Sequence, residues 1–255
     1  MIFASARRCC WAMNAWRGCN MLTGYCAGWS LKQLIQEGLG GVGGACAEAL
    51  CRAGVGCLTL VDNDTVSLSN INRQIVALHS TVGQPKTAAL RARLLDINPA
   101  CDIEEKNLFF DQSTADSIDF SAFDYVIDAI DTVSAKLLLV ERARAAGTPI
   151  LCCMGTGNKL DPTRLRISAI EKTSVCPLCR VMRRELRARG IAGVRVLWSD
   201  ESPCVPIQQL SENGRHPPGS VSFVPPVAGM ILYVLWGGNI QSKRLNLLPV
   251  KPPAN

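Results

Sequence analysis

The chain has 255 residues, with 27 Lys plus Arg against 21 Asp plus Glu, a net charge of +6, 48% hydrophobic residues and 13 Cys. This composition excludes a disordered, collagen-like or coiled-coil chain and leaves one large α/β domain or two small ones. The cysteines are too sparse for a disulfide-stapled miniprotein, and a chain of this length buries a core without staples.

Residues 1–36 differ in composition from the rest. Cys9, Cys10, Cys19 and Cys26 fall there with Trp11, Trp16 and Trp29, in no helical or strand period and at no zinc spacing. Arg7 and Arg8 precede an apolar stretch, but Asn14 and Arg17 interrupt it, so it makes a poor signal peptide. The segment reads as divergent, either poorly ordered or the product of a misannotated start. Its last residues, SLKQLIQE (30–37), look more polar and more helix-like than a buried parallel strand should.

The run Gly38-Leu-Gly40-Gly41-Val-Gly43 is followed by ACAEALCRAGV, a helix former with Gly54 as its stop, and then by the β-rich CLTLVD ending at Asp62. A Gly-rich turn, a helix and a strand ending in an acid about 20 residues on form a Rossmann-type unit. Phosphates lie on the helix N-terminus and the acid bonds a ribose hydroxyl. Next comes DNDTVSLSNINRQ, then Gly83-Gln-Pro-Lys86, which place Asp64, Asn70, Arg73, Gln74 and Lys86 after the ribose acid. Transfer at an ATP α-phosphate needs cations that follow charge on the phosphate oxygens, which Arg and Lys supply; the bland alternative is a solvated polar loop.

FDYVIDAID (123–131) reads as a strand ending in acids, SAKLLLVERARAAG as a helix and TPILCCMG (148–155) as another strand. Alternating strands and helices imply a doubly wound, mostly parallel α/β sheet with its ligand outside the strands' carboxyl ends, where Asp62, Asp128, Asp131 and the Gly155–Gly157 turn gather. Asp128 and Asp131 can hold Mg²⁺ through one or two oxygens; capping of the following helix by Asp131 is the structural alternative. Between Glu171 and Arg195 stand seven cations and two anions. Arg180, Arg183, Arg184 and Arg187 recur there at helical spacing, a basic face suited to RNA phosphates or simply to solvent. Cys176-Pro-Leu-Cys179 lacks a second pair for a four-cysteine zinc site, so most of the cysteines read as buried or incidental thiols, with redox chemistry or an incomplete metal site as alternatives. The charge-free stretch 216–242 is broken by Pro225, Pro226 and Gly229, so it reads as a buried helix behind the sheet, and residues 241–255 as a tail.

GLGGVG, LVDNDTVSLSNINRQ, VGQPK and the acids of VIDAID resemble the adenylation domain shared by ubiquitin-activating enzymes and their bacterial relatives ThiF and MoeB, over about residues 38–235, which implies an adenylation domain spanning residues 37–240. The continuation CCMGTGNKLDPTRLRISAIEKTSVCPLCRVMRRELRARGI is similar to the branch of tRNA threonylcarbamoyladenosine dehydratases. The resemblance implies Gly41 against the nucleotide, Asp62 on ribose, Asn70 and Arg73 at the phosphates, Lys86 at the α-phosphate and Asp131 on Mg²⁺. Arg73, Lys86 and Asp131 would be catalytic. It implies ATP-dependent cyclisation of the threonylcarbamoyl group of tRNA through a carboxyl adenylate, in a cytoplasmic homodimer with a possible sulfur-relay partner and no membrane association. Adenylation of a ubiquitin-like sulfur carrier and a weakened nucleotide-binding scaffold are the alternatives; an NAD-linked oxidoreductase would leave Arg73 and Lys86 without a role. Family members also supply an arginine from an N-terminal helix, for which Arg7, Arg8 and Arg17 offer no matching context.

Overall fold

The computed structural model describes residues 34–204 and 219–245, with side chains as far as Val234 in the last helix. Arg7, Arg8, Arg17 and the early cluster of Cys and Trp lie outside the described residues, as do 205–218 and 246–255.

In chain order the elements are β1 (Leu34–Glu37), α1 (Gly41–Arg52), β2 (Cys57–Val61), α2 (Lys86–Ile97), β3 (Asp102–Lys106), β4 (Tyr125–Asp128), α3 (Val133–Ala145), β5 (Ile150–Cys153), β6 (Leu165–Ala169), α4 (Pro177–Ala188), β7 (Arg195–Ser199) and α5 (Val224–Leu245). They build a seven-stranded sheet in the order β3-β2-β1-β4-β5-β7-β6, parallel except for β6 at the edge. Strand order reverses between β1 and β4, and a doubly wound sheet opens its ligand crevice at such a switch point.

Three apolar clusters fill the two faces. On one face Leu34, Leu58, Leu60, Ile127 and Leu151 pack against Leu50 of α1, Leu90 and Leu94 of α2, and Ala228 and Leu232 of α5. On the other, Ile35, Val61 and Val126 pack against Leu139 and Ala143 of α3, while Cys152, Val196 and Trp198 pack against Met182 and Leu186 of α4. The alternation Leu34/Ile35 shows the period-2 division of a strand between two layers.

The polar segment SLKQLIQE is corrected here, because its last four residues are β1, an interior strand that begins inside the segment expected to be divergent. Parallel pairing to β2 on one side and β4 on the other, with all four side chains buried, outweighs their weak strand propensity. The cost is visible, since Gln36 Oε1 and both Glu37 carboxyl oxygens are buried without a hydrogen-bond partner.

The helix expected behind the sheet is α5, which lies on α1 and continues beyond residue 240, where a tail was expected. The contact is backbone to backbone: a Cβ on Gly229 would come within 2.3 Å of the Val42 carbonyl oxygen, and one on Gly41 within 2.9 Å of Pro225 Cβ. No helix among the described residues is long and apolar enough to cross a membrane.

Candidate active site

The carboxyl ends of β1, β2, β4 and β5 open into a cavity of about 740 Å³. Its phosphate end is the turn after β1. Gly38 has φ of +81°, and a Cβ there would lie 2.6 Å from the Ala129 carbonyl oxygen; a Cβ on Gly43 would lie 1.7 Å from the Gly38 carbonyl oxygen. Only glycine satisfies these two positions. Gly40 caps α1 in an extended conformation with no side chain of its own to offer, so the first amides of the helix are left for an anion.

Asp62, the first residue past β2, is a brace before it is a ligand. Its Oδ2 accepts the Leu39 amide at 2.7 Å and its Oδ1 the Asp64 amide at 2.8 Å. Each carboxylate oxygen keeps a lone pair for a sugar hydroxyl. Downstream, the Val66 amide donates to the Gln84 carbonyl and the Val66 carbonyl accepts the Gly83 amide, and Thr65 bridges Pro85, which pins Lys86 at the first position of α2. Lys86 is thereby buried, with Nζ 2.6 Å from Oδ2 of the exposed Asp64. Asn70 caps a short 3-10 turn by accepting the Ser67 amide at 3.1 Å, leaving its NH₂ free to donate. Arg73 Nη1 donates to Ser69 O and Asn72 Oδ1, and the Arg73 backbone packs under Gly41. Arg73 is also one of the residues that line the cavity. Gln74 is buried beside Gly40, with Oε1 unpartnered.

Gly38, Gly40, Gly41, Asp62, Asp64, Asn70, Arg73, Gln74, Lys86 and Asp131 all line this one cavity, with Gly43 in the helical turn behind it. The two acids of the VIDAID strand part company. Asp128 is fully buried, bonded through both oxygens to the fully buried Lys136 at 2.9 and 2.8 Å, and does not line the cavity; its proposed share in holding a metal ion is corrected. Asp131 remains exposed within the cavity, its side chain touching only the Thr132 hydroxyl at 3.4 Å. Thr132, not Asp131, occupies the cap position of α3.

Other lining residues escaped the sequence reading. Val61, Leu108, Phe109, Phe110, Ile130 and Ala135 form an apolar slot beyond Asp62, with Phe109 half exposed. Glu37 reaches this region from β1. Burial pushes its carboxyl well above the usual range, the Asp128 charge adds to the effect and Lys136 opposes it. Beyond Gly155–Gly157, Asn158 sits at φ of +57° and accepts the Gly219 amide, and buried Lys159 bonds the Glu201 carbonyl. The GTGNK run after a strand was the available signal for these two; nothing in the sequence marked the aromatic pair, which follows the unrecognised strand β3.

On α4, Cys179, Met182 and Leu186 face the core, while Arg180, Arg184 and Arg187 are exposed on the far side. Arg183 is half buried and spends its guanidinium on Thr173 O and Oγ1 at 2.7 and 2.8 Å, and Arg184 pairs with Glu185. The basic face starts at the cavity, which Cys176, Pro177 and Leu178 line at the N-terminus of α4.

A glycine turn on a helix N-terminus, an acid just past the next strand, and Arg, Lys and Asp around one cavity define a nucleotide-binding α/β enzyme of the adenylating type. The ThiF family model matches residues 31–232, and the chain belongs to that family. It is 41% identical over 225 residues to the tRNA threonylcarbamoyladenosine dehydratase of Bacillus subtilis, covering 84% of this chain and 87% of that protein. It is also 41% identical to the molybdopterin-synthase adenylyltransferase of Escherichia coli, over 119 residues and 47% of each chain. Among solved structures, the Escherichia coli tRNA threonylcarbamoyladenosine dehydratase in complex with ATP superimposes with a TM-score of 0.76 at 30% identity, covering 84% of this chain and 88% of that one.

Proposed function

We propose that the chain is an ATP-dependent dehydratase that closes the threonylcarbamoyl group of a tRNA adenosine into a ring through a carboxyl adenylate. The observation that carries this reading is the meeting of the Gly-rich helix N-terminus with Arg73, Lys86 and Asp131 in one cavity, in a chain 41% identical to a protein named for that reaction. In the reaction a carboxylate oxygen of the threonyl group attacks the α-phosphorus of ATP and pyrophosphate leaves. A carbamoyl nitrogen then attacks the activated carbonyl carbon, AMP leaves, and the ring closes with net loss of water.

The protein's part is alignment and charge. The first amides of α1 and the Arg73 guanidinium hold phosphate oxygens, Asp62 accepts a ribose hydroxyl, and the slot around Phe109 takes the base by apolar contact. Lys86 begins paired to Asp64, so an incoming phosphate competes with that carboxylate and takes over the ammonium as charge builds on it. The exposed carboxylate of Asp131 is the hard oxygen donor that Mg²⁺ needs, and a site shared with phosphate oxygens and water asks for no more than one or two carboxylates. A bound Mg²⁺ there would offset phosphate charge. No cysteine is required. The tRNA lies along Arg180, Arg184 and Arg187, the enzyme works in the cytoplasm, and a homodimer completes the reading.

The test is ATP–pyrophosphate exchange with threonylcarbamoyl-modified tRNA, alongside unmodified tRNA and a ubiquitin-like sulfur carrier. Exchange is expected only with modified tRNA, with release of a cyclised nucleoside, and Lys86→Met should lower it by about 10²-fold or more. Exchange driven by the sulfur carrier would move the assignment to the adenylyltransferases, and no exchange at all would leave a nucleotide-binding scaffold.

A further inference from the structure

We infer that Cys176 and Cys179 form a reversible dithiol–disulfide couple in the wall of the nucleotide cavity, oxidised by low-molecular-weight disulfides that enter through that cavity. Cys176 occupies the cap position of α4 and Cys179 the third position of its first turn, with Pro177 fixing the backbone between them. Residues so placed in a helical turn have Cα atoms about 5–6 Å apart, inside the range a disulfide spans. The two thiols are hydrogen-bonded to one another. Both are closed off from bulk solvent, at 4% and 0% exposure, yet Cys176 lines the cavity beside Leu178 and opposite the loop that carries Lys159.

The other thiols among the described residues lack this combination. Burial pushes Cys46, Cys152 and Cys153 up. Cys51 and Cys101 also meet, but Cys51 donates its S–H to the Leu94 carbonyl and neither lines the cavity. Cys176 is held below the ordinary thiol range, first by the hydrogen bond from Cys179, then by the amides of Cys179 and Leu178 and the charge of Lys159, against the opposing effect of burial. It is therefore the attacking sulfur and Cys179 the resolving one. The Cys176 thiolate attacks one sulfur of the small disulfide, whose S–S bond breaks and expels a thiolate. Cys179 loses its proton to that thiolate, and its sulfur attacks Cys176 Sγ, releasing the second small thiolate, which takes up from solvent the proton that Cys176 gave up on ionising. Two protein thiols are oxidised by two electrons and one disulfide is reduced to two thiols.

Both cysteines fall in one tryptic peptide, Thr173–Arg180. The full chain is incubated with oxidised glutathione, its free thiols are blocked, and the digest is weighed. The peptide should become lighter by two hydrogens and return on treatment with dithiothreitol. Cys179→Ser should hold one glutathione on Cys176 and lose ATP binding, because the adduct fills the cavity; Cys176→Ser should leave Cys179 unmodified. Saturating ATP should slow the reaction at least tenfold. That arm rests on the nucleotide reading of the cavity, so ATP binding is measured on the same sample. Absence of ATP binding would sink that reading alone, while the glutathione arms still decide the couple. A peptide that stays in the dithiol form, equal modification of Cys179 in Cys176→Ser, or an ATP-independent rate in protein that binds ATP would overturn the inference.

Discussion

Replacing Lys136 by Met tests the electrostatic floor beneath the cavity. Lys136 and Asp128 are both fully buried, with two contacts of 2.9 and 2.8 Å, and the carboxylate's other partners are the neutral Ile130 amide at 3.0 Å and the Cys152 thiol. Without the ammonium, Asp128 is an uncompensated charge next to the already orphaned Glu37 carboxyl. Removing one partner of a buried pair costs about 3–5 kcal/mol. At about 2–4 °C per kcal/mol for a domain of this size, the melting temperature should fall by about 6–20 °C. The double variant Asp128→Asn/Lys136→Met keeps an acceptor for the Ile130 amide and removes both charges, so it should recover most of the loss. Thermal unfolding followed by circular dichroism measures both variants. A single variant that melts within about 2 °C of the parent, or a double variant no more stable than the single, would refute the reasoning.

Glu37 carries a pH dependence of its own. Its buried carboxyl is raised, so the folded state binds the proton more tightly than the unfolded state, and stability is lost as pH climbs above the unfolded value. Glu37→Gln should melt progressively higher than the parent between about pH 5 and about pH 8, and parallel profiles would rule this out. On α4, reversing the exposed Arg180 and Arg187 to Glu should weaken tRNA binding in a filter assay and lower the salt slope by about 2, with ATP affinity unchanged; an unaltered slope would mean the face meets only solvent. Arg183 is the wrong residue for that test, because its bonds to Thr173 tie it to the fold.

The Gly-rich turn, the acid after β2 and the strand-helix alternation were legible because each depends on local chemistry: glycine where a Cβ cannot fit, an acid at a strand end, apolar runs of strand length. β1 was not, since Gln36 and Glu37 have the wrong local preference and only pairing on both edges makes them strand. The charged edge strand DIEEK was missed for a related reason: its outward side chains meet solvent, so no alternation announces it. The division of labour between Asp128 and Asp131 lay beyond any spacing argument. It depends on Lys136 reaching back from α3 to claim one carboxylate, which leaves the other to the cavity.

The contact of α5 with the phosphate turn bears on the timing of biosynthesis. Gly41 rests on Pro225, and Gly229 on the Val42 backbone, so the turn is seated against a helix that follows it far along the chain. On the ribosome, the Gly-rich turn would wait for that helix before its walls were complete. A nascent or prematurely terminated copy would hold the nucleotide motif in its sequence without a formed pocket, and so could not sequester ATP before it was able to use it.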